Sequence, residues 1–409
     1  MGAEAKLANP AAVAAVVLLG IVAPGLLILA SQSTQVTAPA GFVLAAAALA
    51  ADGRGPELGR SIRAGAATPL GIAFCLLMGW IAVSALWAPR PLYSLGVAGQ
   101  IALVAATAAV GLAAVPAAAV ARAGLWLAAG VTLAAVLAAV ELRLDAPLRT
   151  LTGAMLSMSR LNHAVIAVAV LVWPAALALS ARGWRWAAAG LYALVVAVTL
   201  VSVAQASVLG ILAGTVAFAL AWLLGRAAVW LVTAAMVALV AATPVLMERA
   251  GDLIPGALHS VLKASAWERV QIWHRFAEAV SDRWLAGYGL QASRHLAEVR
   301  PIELLPAETF NPLTAGHTHN AVLQVWVELG AVGAALLAVV LVLVGRLVAA
   351  LPGATRAFAL AAFASLFAVA YVSHGAWQVW WLATIALVAV WMRVTVREAG
   401  SVQAGSPSR

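Results

Sequence analysis

An all-α polytopic membrane protein is what the sequence predicts, on three observations. The 409-residue chain is 65% hydrophobic, only 10% of it is charged, and apolar runs long enough to cross a bilayer recur from one end to the other. Its mean hydropathy is +1.02. No soluble domain has enough interior to hide that much apolar surface. The formal charge of +9 does not point to nucleic acid. The basic residues stand singly between apolar runs and build no stripe or aromatic-interleaved patch.

Taken in order, runs near the ~20 residues that a bilayer core requires lie at 11–31, 36–51, 69–88, 94–114, 119–140, 161–181, 185–203, 206–224, 227–247, 319–346, 356–372 and 376–395. They predict about twelve spans. The second is short, and only a weak polar break at 202–207 parts the seventh from the eighth. The first run is too long for a signal-peptide core and reads as a retained span. The expected organisation is helices one to nine over 1–247, one large loop at 248–318, helices ten to twelve over 319–396, and a tail over 397–409, disordered from Gly400.

Charge sets the orientation. With both termini inside, Lys6, Arg54, Arg60, Arg63, Arg122, Arg182, Arg185, Arg226, Arg346, Arg356, Arg393, Arg397 and Arg409 are internal, 13 of the 24 Lys and Arg. The short outer loops hold Arg90, Arg143, Arg149 and Arg160, only 4. That bias supports an even number of spans, a parity that ten would satisfy as well though twelve fits the segments better, and puts the loop 248–318 outside. The lone cysteine, Cys75, lies within an apolar run, which excludes an intrachain disulfide and a thiolate metal cluster.

Within the loop, Trp267, Val270, Trp273 (or His274), Ala277 and Val280 recur at helical spacing, with Glu268, Arg269, Arg275 and Glu278 elsewhere around the cylinder. This predicts an amphipathic helix on the membrane surface or over the bundle. A glycine-rich turn, 282–289, follows. The other large outer loop, 141–160, ends in Arg160-Leu161-Asn162-His163 at the mouth of the next span.

The most informative stretch is His317-Thr318-His319-Asn320 and the apolar run after it. Asn320, Gln324 and Glu328 fall at i, i+4 and i+8, a polar stripe on a greasy helix, with His319 at its mouth. A carboxylate facing lipid is costly, so Glu328 should face protein or a water-filled cavity. Gly330 and Ala334 form a small-xxx-small pair suited to a close helix neighbour. A histidine of ordinary pKa ~6.5 can take a proton from an attacking hydroxyl, and arginines match phosphate oxygens by bidentate hydrogen bonds. His319 reads equally as a helix-cap residue. Arg143, Arg149, Arg294 and Arg300 read first as solvated or headgroup contacts. So do His259, His274 and His295, while His374, beside Trp377, Trp380 and Trp381, reads as an interfacial belt residue. His317-Thr318-His319 has no further ligand at metal spacing. An Asp-x-Asp pair, a phosphate loop and a serine nucleophile elbow are all missing from the sequence. A lipid-linked donor used on the outer face is the chemistry left.

His319-Asn320-x-x-Leu323 with Glu328-x-Gly330-x-x-Gly333 resembles the signature of the O-antigen ligase and polymerase superfamily. Glu268-Arg269-Val270-Gln271-Ile272-Trp273, with the Gly287-Tyr288-Gly289 turn, resembles its large periplasmic loop, and Arg160-Leu161-Asn162-His163 a span start of that family. The resemblance implies a GT-C-like bundle in a bacterial inner membrane, with both termini cytoplasmic and the large loop periplasmic, between helices nine and ten. It implies lipopolysaccharide biosynthesis by a metal-independent, inverting glycosyltransferase without a cofactor. The glycan would pass from undecaprenyl diphosphate to an acceptor hydroxyl, with O-antigen ligation to lipid A–core favoured. His319 would be the general base and Arg269 would hold the diphosphate, with Asn320, Gln324, Glu328 and His317 in support. Members often carry a Ser-Arg pair entering the eighth span; here Gln205-Ala206-Ser207 stands there, and Arg160 is the first substitute. A polymerase joining repeat units shares this chemistry and stays open. A transporter for the lipid-linked glycan would need a charged path across the midplane, where Glu328 is the only deep candidate.

Overall fold

Residues 164–179 are apolar on every side, and such a helix belongs at a core rather than at a lipid face. In the computed structural model, which describes residues 9–118, 120–154, 158–254, 264–306, 308 and 310–405, this stretch is the axis of the molecule. The described residues are helical or irregular, without strands. The elements are α1 (Pro10–Leu26), α2 (Thr34–Ala51), α3 (Gly55–Ala66), α4 (Pro69–Ser84), α5 (Pro91–Ala117), α6 (Ala123–Arg143), α7 (Met158–Ser180), α8 (Arg185–Val201), α9 (Gln205–Leu224), α10 (Arg226–Glu248), α11 (Ala264–Asp282), α12 (Ala321–Ala350), α13 (Gly353–Val372) and α14 (Val379–Gly405). Ten of them are long and apolar enough to cross a membrane. The other two apolar helices, α1 and α8, fall short of that length. In α1 a π-turn at Leu18–Val22 and Pro24 at the start of its last turn cut the helix before residue 31.

Helix α7 is surrounded by α6, α8, α9, α13 and α14. Its alanines (Ala164, Ala167, Ala169, Ala175, Ala178) lie fully buried, so that neighbouring backbones approach where lipid offers no hydrophobic drive for association. A second core joins α4, α5, α9, α10, α12 and α13. A third lies beneath α11, where Ile272, Phe276, Ala277 and Val280 meet Met247, Tyr288, Leu313, Leu323 and Val327.

The polar contacts sort into two ends. At one end Asn9 donates to Asp52, Arg54 to the Ala117 carbonyl, and Arg182 to Glu398 at 2.8 Å, while the Gly124 amide donates to Glu398 as well. At the other, Ser94 donates to the Leu290 carbonyl, Arg90 to Glu298, and His163 meets the Ser31 carbonyl. The segments 282–306 and 310–319 gather at this second end. Held by the Glu398 contacts, α14 runs on through Gly400 to Gly405, so the described part of the tail is helical where disorder was expected; 406–409 lie outside the described residues.

Helix α11 lies over the bundle and packs on α10 and α12. One of its polar positions departs from the amphipathic pattern. Arg275 is buried, not on an outer face, because Glu308 accepts from its Nε at 2.7 Å and from Nη2 at 2.9 Å, and Glu278 from Nη1 at 3.1 Å. A guanidinium can enter a protein interior when its N–H groups are met this fully.

Candidate active site

Helix α12 carries Gln324 and Glu328, with Asn320 as its cap and His317 and His319 just before it, and it is broken. Asn320 is its N-cap, its Oδ1 accepting from the Val322 and Leu323 amides at 3.0 Å. Ten residues on, Gly330 adopts φ +64° and ψ −162°, outside helical space. In lipid, backbone groups freed by such a break need internal partners. The 284–289 segment supplies them. The Tyr288 and Gly289 amides donate to the Val327 and Glu328 carbonyls at 2.8 Å, and the Ala331 amide donates back to the Trp284 carbonyl at 2.8 Å. Trp80 caps the Leu329 carbonyl through Nε1 at 3.0 Å. A Cβ on Gly330 would lie 2.3 Å from the Leu285 oxygen. The close neighbour of Gly330 is thus loop backbone rather than a second helix. The two glycine motifs, 287–289 and 330, are the two halves of one backbone crossing.

Glu328, fully buried, fastens this crossing. Oε1 accepts from Gln324 Nε2 at 2.8 Å and the Ser293 amide at 3.2 Å; Oε2 accepts from the Gln291 amide and Trp377 Nε1, both at 2.6 Å. Gln291 presents its amide from a left-handed conformation, φ +62°. Gln324 Oε1 accepts from the Ala376 amide at 2.9 Å. The expected polar stripe exists, and it ties three segments together: α12, 287–293 and 374–378.

His319 precedes the cap in the left-handed region at φ +52°, a conformation that costs a non-glycine residue about 1–3 kcal/mol and clusters at functional sites. Its ring lies against that of His317, centroids 4.0 Å apart, and Nδ1 points to the Ser373 carbonyl at 3.4 Å. Burial first, and then the charge of Arg269, hold the His319 imidazole below its ordinary 6.5. Burial, His319 and Arg294 push His317 down to about 4. Both rings are neutral at pH 7. With Nδ1 protonated toward Ser373, Nε2 of His319 keeps its lone pair for a proton.

Arg269 projects from α11 to the same place, its Nη1 donating to the Val372 carbonyl at 3.4 Å. Burial lowers its pKa, and among the described residues no carboxylate offsets the effect. The guanidinium nevertheless stays charged. It is therefore a cation beside a neutral imidazole, whereas Arg275, one turn and a half away, is neutralised by Glu308. Arg160 sits at the start of α7, near enough to act on His163, and the structure records no direct bond between it and Arg269.

Two further histidines complete the cluster. His163 stacks on Trp380 at 4.1 Å between centroids and lies 6.1 Å from His374. His374 is 5% exposed, packs between Trp380 and Trp381, and leaves Nε2 without a partner. Burial and then the neighbouring His163, His317, His319 and Arg269 drive its pKa to about 3. It is an interior residue, not a belt residue: the segment between α13 and α14 folds inward under His319. Sequence reasoning missed it because the three tryptophans that follow it, Trp377, Trp380 and Trp381, mimic an interfacial girdle. The break Ser373-His374-Gly375 was the available signal.

The remaining candidates lie apart. Arg149 is buried, while Arg143 is exposed. Arg300 pairs with Asp282 at 2.6 Å, His274 meets the Glu248 carbonyl, and His295 pairs with Glu298 at 3.0 Å. His259 lies outside the described residues. Arg294 lines a polar cleft of about 210 Å³ that His317 walls on its inner side. A wider depression of about 630 Å³, faced by Trp80, Trp87 and Trp284, opens beside the backbone crossing.

Residues 200–338, which include α9, α10, α11 and the broken part of α12, match the family described as O-antigen ligase (Wzy_C). A protein of Rickettsia conorii named "Putative polysaccharide ligase" is 24% identical over 240 residues, 58% of either chain. Proteins bearing the same name from Rickettsia felis and Rickettsia bellii are 26% and 27% identical, over 58% and 51% of this chain. The chain spans little more than half the length of these curated relatives. Over residues 200–338 the chain is thus similar to the O-antigen ligase family, and the relatives it matches bear the name of ligases.

Proposed function

We propose that the protein is a glycosyltransferase of the O-antigen ligase type. It moves a glycan from undecaprenyl diphosphate to a hydroxyl of lipid A–core, at the periplasmic face of a bacterial inner membrane. The observation that carries the proposal is the juxtaposition of His319 and Arg269. A neutral imidazole, held by a strained turn and the Ser373 carbonyl, stands beside a guanidinium that no carboxylate among the described residues neutralises. His319 Nε2 takes the proton of the acceptor hydroxyl as its oxygen attacks the anomeric carbon. The bond from that carbon to the diphosphate oxygen breaks, and Arg269 stabilises the charge left on the diphosphate. Direct displacement inverts the anomeric centre. Arg160 is assigned to the same diphosphate from its place at the mouth of α7. The excess of cationic residues at the end of the bundle carrying Asn9, Arg54 and Arg182 supports an inward orientation for that end.

The test is the surface glycolipid of cells lacking the protein, complemented with wild type or His319→Ala and with membrane insertion verified. The proposal predicts that polymerised chains accumulate on the lipid carrier and are missing from lipid A–core, both in the deletion and in the variant. Collapse to single repeats would identify a polymerase instead.

A further inference from the structure

The contacts made by the 372–378 segment have an order. Arg269 touches it at Val372, His319 at Ser373 and His317 at Gly375, and the polar cleft of about 210 Å³ opens beside Gly375, Trp377 and Gln378. His317 and Gly375 line the cleft, and neither Arg269 nor His319 does. Its wall is mainly amide and aromatic and holds no carboxylate. Gln100 and Gln378 are neutral hydrogen-bonding groups, Tyr93 and Trp377 are aromatic faces, and Arg294 donates to the Tyr93 hydroxyl at 2.7 Å to bar the outer side. Gln378 Oε1 is buried with no hydrogen-bond partner, so a turn of this side-chain amide toward a ligand in the cleft costs no existing side-chain oxygen contact. Glu328, just behind the wall, has both oxygens engaged by protein donors.

Amides beside aromatic faces, with no free carboxylate, suit a ring that offers hydroxyl groups on its edges and C–H groups on its faces. At about 210 Å³ the cleft is smaller than the roughly 300–1,000 Å³ of sites for drug-sized ligands, so it takes one ring rather than an oligosaccharide. In an in-line displacement the attacking oxygen and the leaving group lie on opposite faces of the reacting carbon. With the diphosphate at Arg269, the acceptor has to come from the side of His317.

We propose that this cleft seats one sugar ring of the acceptor, the ring bearing the hydroxyl that His319 deprotonates, held by Gln378 and Gln100 against Trp377 and Tyr93. The assignment rests on the transferase reading above and deepens it. It names a substrate-recognising surface on α5 and on the segment between α13 and α14, neither of which falls within residues 200–338.

The experiment uses the purified full-length protein, with donor and acceptor glycolipids extracted from cells deleted for it. Gln378→Leu and Gln100→Leu should each raise the KM for the acceptor by about three- to tenfold, the worth of a hydrogen bond, and leave the donor KM and the kcat at saturating acceptor within about twofold. Delipidated acceptor oligosaccharide, tested on the wild type, should inhibit competitively against the acceptor and not against the donor, which covers the case of a variant that fails to fold. A rise in donor KM, competition against the donor, or unchanged kinetics in both variants would overturn the proposal while leaving the transferase reading intact. Absence of any transfer by the wild type would overturn both.

Discussion

Replacing Glu328 with glutamine changes no volume and tests the fastening of the broken helix directly. All four partners of the carboxylate are donors: Gln324 Nε2, Trp377 Nε1 and the amides of Gln291 and Ser293, at 2.6–3.2 Å. An amide nitrogen in place of either oxygen would turn two of these contacts into donor facing donor. Hydrogen bonds to a charged partner are worth about 1.5–3 kcal/mol each, so the substitution should cost about 3–6 kcal/mol from two such losses. That is a large share of the roughly 5–15 kcal/mol by which folded proteins are stable. The assay is thermal unfolding of the detergent-solubilised protein together with amide hydrogen exchange. Glu328→Gln should lower Tm by about 5 °C or more and speed exchange at Gln291 and Ser293. A variant melting with the wild type, and with exchange unchanged at those amides, would refute the role given to this carboxylate.

Gly330→Ala should fail more severely than other glycine substitutions in α12. It forces a Cβ to within 2.3 Å of the Leu285 oxygen and places alanine at φ +64°, a conformation costing about 1–2 kcal/mol by itself; yield of folded protein after extraction reads it out. Arg275→Met strands Glu308, which is nearly buried, and should destabilise by about 3–5 kcal/mol, seen as protease cleavage within 300–310. The same pair sets an acid limit. The Arg275 hydrogen bond holds the Glu308 carboxyl below its ordinary 4.5 despite partial burial, so its stabilisation is full above that value and is lost as pH falls below it. A melt series from pH 7 to pH 3 should show the wild type beginning to lose this increment below pH 4.5 and Arg275→Met lacking it from the start. For the reaction, the acid limb of kcat/KM should lie below pH 6.5, because burial and Arg269 both lower the His319 pKa. In Arg269→Gln the limb should move upward on a greatly reduced rate.

The helical class and the main apolar segments were legible because they follow from hydropathy and length, which are local. The Asn320, Gln324 and Glu328 stripe was legible too, since it obeys helical spacing over two turns. Its purpose was not. The donors that meet Glu328 come from Gln291, Ser293 and Trp377, more than thirty residues away in either direction, and no periodicity records such a meeting. For the same reason Gly330 suggested a helix neighbour, although only the backbone of 284–289 fits there. His374 was hidden by its tryptophans, and Arg275 by its place on a helix that otherwise reads as surface. The partner of Arg275, Glu308, sits in an irregular stretch with no pattern of its own. The His319–Arg269 pair was suggested by family resemblance, and the fold brings both residues to the 372–373 carbonyls.

The most direct test of the central claim is the turnover of purified, reconstituted protein with lipid-linked glycan and acceptor glycolipid, comparing wild type with His319→Gln at matched folding and saturating substrates. A general base contributes about 10²–10⁴-fold, so the account predicts a loss of that order in kcat with acceptor and donor KM little changed. Turnover within about threefold of the wild type would contradict it, since no proton acceptor at His319 would then be needed.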